Sequence, residues 1–268
     1  MGKNDLLEQV SKIEEIELKL TVFNAKRALS KIDKKLETKT IGNCSLLFDI
    51  NSPDSIYYNR VKGFGMKDLD KLENILGIYS EQGIIPSFDM TPNNINEAVS
   101  LALLKHGFTN SEQLVFMQLT PEAYTDINKG IKIVKVTEKN AEEFVNIIIS
   151  SEGGMDISSK VIGIKKQYFY QNNFYNYISY IGNEVAGVGS LFISDNEGYI
   201  ANDFTFKGFR GKGGQTALLK YRINKAKELG LEKLYTDVEF GSISHNNMEK
   251  LGFKTVFINS FYTKLNNL

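Results

Sequence analysis

Residues 204–219 read FTFKGFRGKGGQTALL, and the order of residue types in this stretch sets the reading of everything around it. An aromatic, strand-like run enters it, and an amphipathic helical pattern, GQTALLKYRINKAKELG (214–230), leaves it. Between the two, Gly208, Gly211, Gly213 and Gly214 fall within seven residues of one another, together with Arg210 and Lys212. Glycine tolerates positive φ and leaves no Cβ in the way, so backbone N–H groups can turn toward one point. Added to the unpaired N–H groups of a helix's first turn, they make a site for a phosphate or pyrophosphate, with the two cations beside it. An ordinary strand-to-helix turn with two solvated cations is the alternative.

Spacing separates the known phosphate loops. A P-loop requires Gly, four residues, then Gly-Lys-Ser/Thr, but Gly214 and Gln215 follow Gly213 here. A dinucleotide loop requires GxGxxG. Gly211 and Gly213 fit, Thr216 replaces the third glycine, and an acid (Asp237 or Glu239) stands near the end of the next strand. The preceding runs YNYISYIG (175–182), EVAGVGSLFIS (184–194) and GYIANDFTF (198–206) argue against that fold. They are joined by Gly182-Asn183 and by Asp195-Asn196-Glu197-Gly198, which is hairpin chemistry and predicts an antiparallel meander.

Working outward, strand IKIVKV (131–136) opens this half, Thr137 is read as an N-cap, and Glu138 begins a helix carrying Phe144, Ile147 and Ile148. A further helix is read over 163–172. After the loop come the strand KLYTDVE (233–239), the helix SISHNNMEKLG (242–252) and two short strands, KTVFI (254–258) and SFYTK (260–264). Upstream, the spacing predicts a helix over 5–35 and strands at 45–50 and 57–63. It then predicts a helix ending near Gly83, a strand at 84–90, a helix from Thr91-Pro92 to LLKHGF, and a strand at 113–119. Pro121 and the polar run to Gly130 mark 120–130 as a linker. Residues 45–119 echo 198–264 in element order, each with a helix ending in a Gly-Phe pair.

Composition bounds the function. The 268 residues carry 32 basic and 32 acidic side chains, so no overall field favours nucleic acid or a membrane surface. One cysteine and two histidines leave no metal-ligand cluster, and Cys44, in CSLLFDI, reads as a buried core residue. No stretch approaches the apolar length of a membrane span. MGKNDL lacks the Ser or Thr of a myristoylation signal, and a cytoplasmic protein is expected.

The loop and its flanks resemble those of the GNAT superfamily of N-acyltransferases. Arg210-Gly211-Lys212-Gly213 follows the opening of its R/QxxGxG/A loop, on a matching order of elements. Gln215, Ala217, Leu218, Leu219 and Arg222 (an RGxGxQxALL pattern), with Gly241, Ser242, Ser244, Asn247, Gly252 and Phe253 (GSxSxxN…GF), are similar to a tandem bacterial subset of that superfamily. The resemblance implies an α/β (α+β) fold of two GNAT-like units, each a mixed, mostly antiparallel sheet flanked by helices. The first (1–125) would be degenerate and the second (131–268) would carry the acetyl-CoA loop. It implies an acetyl-CoA-dependent N-acetyltransferase in which a primary amine of a small-molecule or protein acceptor attacks directly, as a monomer or homodimer. A catalytically inactive CoA-binding scaffold is the alternative.

Carried over by position, the backbone of Asp203, Phe204 and Thr205 would pair with the pantetheine arm, Arg210, Gly211, Lys212, Gly213, Gly214 and Gln215 would hold the pyrophosphate, and Asn247 would contact the cofactor or acyl region. Met248 stands where many members have a proton-donating Tyr; a thioether cannot donate a proton, and packing is its role. An ammonium acceptor must lose a proton before it attacks. Asp203 and Glu239, on strands leading to the cleft, are the candidate bases, with surface or ion-paired carboxylates as the alternative for each. Ser242, Ser244 and Tyr262 are possible relays, although Ser242 also suits a helix cap. His245 is read as an exposed helix residue and His106 as a cation at a helix C-terminus. Tyr168, Tyr170, Phe174 and Tyr175 are read as packing residues rather than an acceptor lining.

Overall fold

The computed structural model describes residues 3–154 and 156–265; Met1 and Gly2 of the myristoylation pattern, and residues 266–268 of the second expected unit, lie outside these. In chain order the elements are α1 (Lys3–Arg27), β1 (Leu36–Ile41), β2 (Cys44–Asp49), β3 (Arg60–Lys62), α2 (Leu72–Ser80), β4 (Ser87–Met90), α3 (Glu97–Lys105) and β5 (Phe108–Leu119). They continue with β6 (Ile131–Lys135), α4 (Ala141–Ser151), α5 (Ser159–Lys165), β7 (Phe174–Ile181), β8 (Glu184–Ser194), β9 (Glu197–Thr205), α6 (Gly214–Glu228), β10 (Lys233–Glu239), α7 (Ile243–Lys250) and β11 (Lys254–Lys264). No helix among the described residues is long and apolar enough to cross a membrane.

All the strands join one mixed sheet in the order β1-β2-β3-β4-β11-β5-β10-β9-β8-β7-β6. Its pairs are antiparallel except β3–β4 and β9–β10. The halves exchange their last strands. β11, from the end of the chain, lies between β4 and β5, and β5, from the first half, lies between β11 and β10. The central β5–β11 pair therefore relates two similar arrangements, each a parallel pair followed by a helix (α3 or α7) and an exchanged strand.

Three apolar clusters fill the layers. Val10, Ile13, Ile16, Leu20 and Phe23 of α1 pack with Phe144, Phe174, Val188 and Tyr199 on one side of the second half. Leu219, Ile223 and Ala226 of α6 pack with Leu191, Leu234 and Met248. The first half has its own cluster around Cys44, Val61, Ile75, Phe88 and Leu103. Cys44 is fully buried and burial pushes its thiol up to about 12, as suits a core residue.

Several boundaries differ from the sequence reading, each for a local reason. The first helix ends at Arg27, not 35, and β1, a polar and largely exposed edge strand, follows it. Residues 57–59 form a turn rather than a strand. Asn59 donates to Ser52 O (2.7 Å) and Pro53 O (3.2 Å) and accepts from Asp49 N–H (2.7 Å), which holds the chain bent until Arg60. Asn140, not Thr137, precedes α4, and its side-chain oxygen accepts from Thr137 N–H at 2.7 Å. The helix expected over 163–172 starts earlier, at Ser159, with Ser158 as its cap, and tightens to a 3-10 turn over 166–170. The two short strands expected at the C-terminus are one, β11. Asn259, which reads as a break, is buried and donates to the Asp89 carboxylate. The 120–130 segment is irregular but anchored: Tyr124 N–H donates to Asn224 Oδ1 and its hydroxyl to Leu251 O, both at 2.7 Å.

Candidate functional site

The site begins where two parallel strands part. β9 and β10 pair only at Glu197–Tyr199 with Lys233–Tyr235. Beyond that point β10 stays with β5 and β9 stays with β8, so the edge of β9 from about residue 200 to 205 faces a gap instead of a neighbour. A β-bulge drives the parting. Asn202 and Asp203 together oppose the single residue Gly189, and Asn202 is held at φ 52°. Arg222 of α6 keeps the bulge in place. It is fully buried, donates to Ser190 O at 2.9 Å, and grips the Asp203 carboxylate with both terminal nitrogens. Gly189 leaves room for this, because a Cβ there would come within 2.7 Å of the guanidinium carbon.

The glycine loop sits at the mouth of the gap. Gly211 (φ 75°) and Gly213 (φ 81°) adopt left-handed conformations, and Gly213 caps α6. The helical ladder begins with Ala217 N–H to Gly213 O at 3.0 Å, so the N–H groups of Gly214, Gln215 and Thr216 precede the first intrahelical bond. A Cβ built at Gly208, Gly211 or Gly214 would meet nothing within 4 Å, so the loop borders open space. Arg210 Nε donates to Thr205 O (3.3 Å), tying the loop to the end of β9.

α7 supplies the opposite wall. Ser242 caps it by accepting from His245 N–H at 3.1 Å. Asn247 Nδ2 donates to Gln215 Oε1 (2.8 Å), and Gln215 Nε2 donates to Ser244 Oγ (3.0 Å). The resulting cleft of about 480 Å³ is lined by Asp203, Phe204, Thr205, Arg210, Gly211, Gly213, Gly214, Gln215, Ser244 and Asn247. A second cavity of about 520 Å³ shares Asp203, Gln215 and Ser244 with it and continues along β10 past Asp237 and Glu239 toward α1.

The structure thus brings most of the sequence-selected residues into one cleft. Lys212 is outside its lining; its ammonium lies over the Phe209 ring, 5.0 Å from the centroid. Asp203 lines the cleft, but its carboxylate is committed to Arg222. Burial raises its pKa and Arg222 opposes that rise. Glu239 is exposed at the edge of the second cavity. His245 is not the exposed residue expected from the sequence. It is buried at 6% exposure, with Nδ1 accepting from Gly241 N–H at 3.0 Å, because the chain folds back around the short helix α7. Met248 is buried in the core beneath α7, although it also borders the second cavity. Tyr262 packs against the first-half core, and Phe174, Tyr168 and Tyr170 belong to the cluster around α1. His106 ends α3 within 3.3 Å of Glu73.

Asp237, named from the sequence only as the strand-end acid of a dinucleotide loop, lines the second cavity. Its Oδ1 accepts from the Tyr199 hydroxyl at 2.7 Å, and no Lys, Arg or His among the described residues lies within ion-pair distance of it. Burial and nearby Glu17 raise its pKa, while the Tyr199 hydrogen bond and the Arg60 charge lower it, and the net direction is upward. The signal available was the two-residue alternation in KLYTDVE, which puts Asp237 on the same strand face as Glu239.

Residues 145–253 match the model of the acetyltransferase (GNAT) family, a span that includes the bulge, the glycine loop, α6 and α7. No curated protein matches the chain by sequence. Similar solved structures cover both halves. A GCN5-related N-acetyltransferase from Kribbella flavida aligns with TM-score 0.66 at 13% identity, covering 87% of this chain and 90% of its own. A functionally unknown conserved protein from Staphylococcus epidermidis ATCC 12228 gives 0.63 at 12%, over 91% and 100%. A tandem GNAT protein from the clavulanic acid biosynthesis pathway gives 0.58 at 11%, over 91% and 86%. At these identities the likeness is one of fold. It shows a GNAT-like mixed α/β architecture, a mostly antiparallel sheet flanked by helices, extending over nearly the whole chain.

Proposed function

We propose that this chain is an acetyl-CoA-dependent N-acetyltransferase built from two GNAT-like halves, with the cofactor taken up by the second. The observation that carries the reading is the parting of β9 from β10 with a glycine-lined helix N-terminus at its mouth. The open edge of β9 at Asp203–Thr205 offers backbone donors and acceptors to a strand-like guest such as a pantetheine arm. Gly211, Gly213, Gly214 and the first turn of α6 offer N–H groups to a pyrophosphate, with Arg210 adding charge. Gln215, Ser244 and Asn247 fix the loop against α7. Acetyl-CoA supplies an activated acetyl thioester to this arrangement.

The chain's own chemistry is then proton management at the acceptor. Asp203 is spent on Arg222, which leaves the β10 carboxylates. Asp237, partly buried and in no ion pair, takes the ammonium proton, and its raised pKa makes it a better base near neutrality than an ordinary carboxylate. Glu239, two residues on at the exposed edge, links that proton to solvent. The neutral amine forms a C–N bond as the C–S bond breaks, and the proton lost from nitrogen balances the one gained by the thiolate. An unpaired carboxylate beside the cleft favours catalysis over a passive scaffold, despite Met248 in the position of the usual acid.

The test is thermal stability with and without acetyl-CoA. A ligand confined to the folded state adds about 2.7 kcal/mol at a hundredfold excess over Kd. The expected result is a raised midpoint in wild type that disappears in the Arg210→Ala/Gly213→Asp double variant. No shift at millimolar acetyl-CoA overturns the reading.

A further inference from the structure

A third cavity, of about 230 Å³, lies where the two halves meet, and its walls come from α1, the turn before β3, and strands β3, β4, β5, β9, β10 and β11. It shares Leu20, Tyr57, Tyr199 and Asp237 with the second cavity, which in turn shares Asp203, Gln215 and Ser244 with the glycine-loop cleft. The three form a row, with Asp237 at the junction of the inner two. We propose that this inner chamber is the acceptor site, and that it selects a small amine with one cationic nitrogen on an apolar body, the nitrogen resting at Asp237. The proposal rests on the acetyltransferase reading for its chemistry, but its binding claim is separate.

Charge supports a cationic guest. In the chamber wall, Arg60 pairs with Glu17 (2.5 Å) and with Asp89 (3.0 Å), while Lys62 pairs with Glu14 and Glu17 (3.0 Å each) and with Asp89. Of the residues lining the chamber, Glu17, Glu112 and Asp237 are acidic and Arg60 is basic, and the partly buried Asp237 forms no ion pair. A partly buried carboxylate outside any ion pair is disfavoured, and an ammonium group supplies the missing countercharge. A carboxylate on the guest would meet the same excess and be rejected.

Shape supports an apolar body. Leu20, Leu114, Phe116, Phe261 and the Tyr57 ring present hydrocarbon to the chamber, and its volume suits a ring or short chain rather than an oligosaccharide or a peptide segment. Tyr57 is fixed on its other side: its hydroxyl accepts from Asn24 at 2.8 Å, and the Arg60 guanidinium lies 4.9 Å from its ring centroid. The wall is therefore already formed before a guest arrives. Neither half builds it alone, which gives the first half a reason to persist although it carries no glycine loop.

The experiment is calorimetric titration of the full chain at about pH 8 with 2-phenylethylamine, 3-phenylpropionate, spermine and a lysine mimic, Nα-acetyl-lysine amide, with acetyl-CoA titrated in parallel. We expect 2-phenylethylamine to bind best. Asp237→Asn, which keeps the size of the side chain, and Ile56→Trp, which fills the chamber from an exposed position, should each weaken it at least tenfold, while Ile56→Trp still takes acetyl-CoA. The chamber proposal is overturned if wild type ignores 2-phenylethylamine or binds it no better than the carboxylate, spermine or the lysine mimic. It is equally overturned if both variants bind it as wild type does. Failure of acetyl-CoA to bind while the amine result holds would instead sink the acetyltransferase reading and leave an amine-binding chamber.

Discussion

Arg222 leaves α6 without a solvent contact and spends its donors on the Ser190 carbonyl and the Asp203 carboxylate, so one buried cation fixes the bulge that opens the cleft. Removing a single partner of such a pair leaves a buried charge uncompensated, which costs about 3–5 kcal/mol. Asp203→Ala should therefore lower the unfolding free energy by that order in urea titrations. If Asp203 were instead a free base, the variant would keep its stability and lose only turnover. Gly189→Ala tests the same contact from the other strand. The added Cβ must displace the guanidinium, and a loss of about 1–3 kcal/mol is expected, as for overpacking elsewhere. A Gly189→Ala protein as stable as wild type would mean that the guanidinium has room to move.

At the scale of elements, α7 is only eight residues long and depends on its ends. Ser242 satisfies the His245 N–H, and the same turn carries Ser244 and Asn247, which hold Gln215 of the glycine loop. Ser242→Ala should cost about 1 kcal/mol in global stability. It should also weaken acetyl-CoA binding more than an equal destabilisation placed in the first-half core, because it loosens the brace on Gln215. Titration of Ser242→Ala beside a core variant such as Ile75→Val distinguishes the two. Equal affinities would detach α7 from cofactor binding.

Across the whole molecule, the exchanged strands β5 and β11 make the halves interdependent. A fragment of residues 131–268 would have no β5 between β10 and β11 and would expose two long strand edges. It should aggregate or remain unfolded, whereas the full chain should show coincident transitions by circular dichroism and fluorescence. A soluble, cooperatively folding fragment would contradict this. The ion cluster between α1 and β3–β4 adds a pH dependence. Burial raises the carboxyl of Glu14 to about 7, whereas the nearby Arg60 and Lys62 lower that of Glu17 to about 2 despite burial. The folded state thus holds the Glu14 proton more tightly than the unfolded state, and that contribution, complete below the ordinary value of 4.5, is lost as pH rises toward 7. Glu17 acts in the opposite sense, its contribution being lost as pH falls from 4.5 toward 2. Glu14→Gln should therefore gain on wild type between about pH 5 and 8, on the order of 1–2 kcal/mol in urea unfolding. Parallel stability curves would exclude Glu14 as the source.

The glycine loop, α6, the β7–β9 meander and the cap at Ser242 were legible from the residues because each is set by short-range physics: a turn that needs positive φ, a 3.6-residue period, a hairpin joint, a side chain reaching three residues along. The parting of β9 from β10 was not, since it depends on Arg222 crossing to a bulge opposite Gly189 on another strand. Asn259 looks like a strand break until Asp89, distant in sequence, is seen to be its partner. Asp237 looks like any strand-end acid until the fold surrounds it with Tyr199, Glu17 and Arg60 and leaves it outside any ion pair. Burial and charge balance are sums over neighbours that the chain order does not reveal. Local sequence thus determined which elements form and where the glycine loop meets its helix. The tertiary structure decided which carboxylate is held in an ion pair and which is not, and that residues from both halves line the cavity beside Asp237.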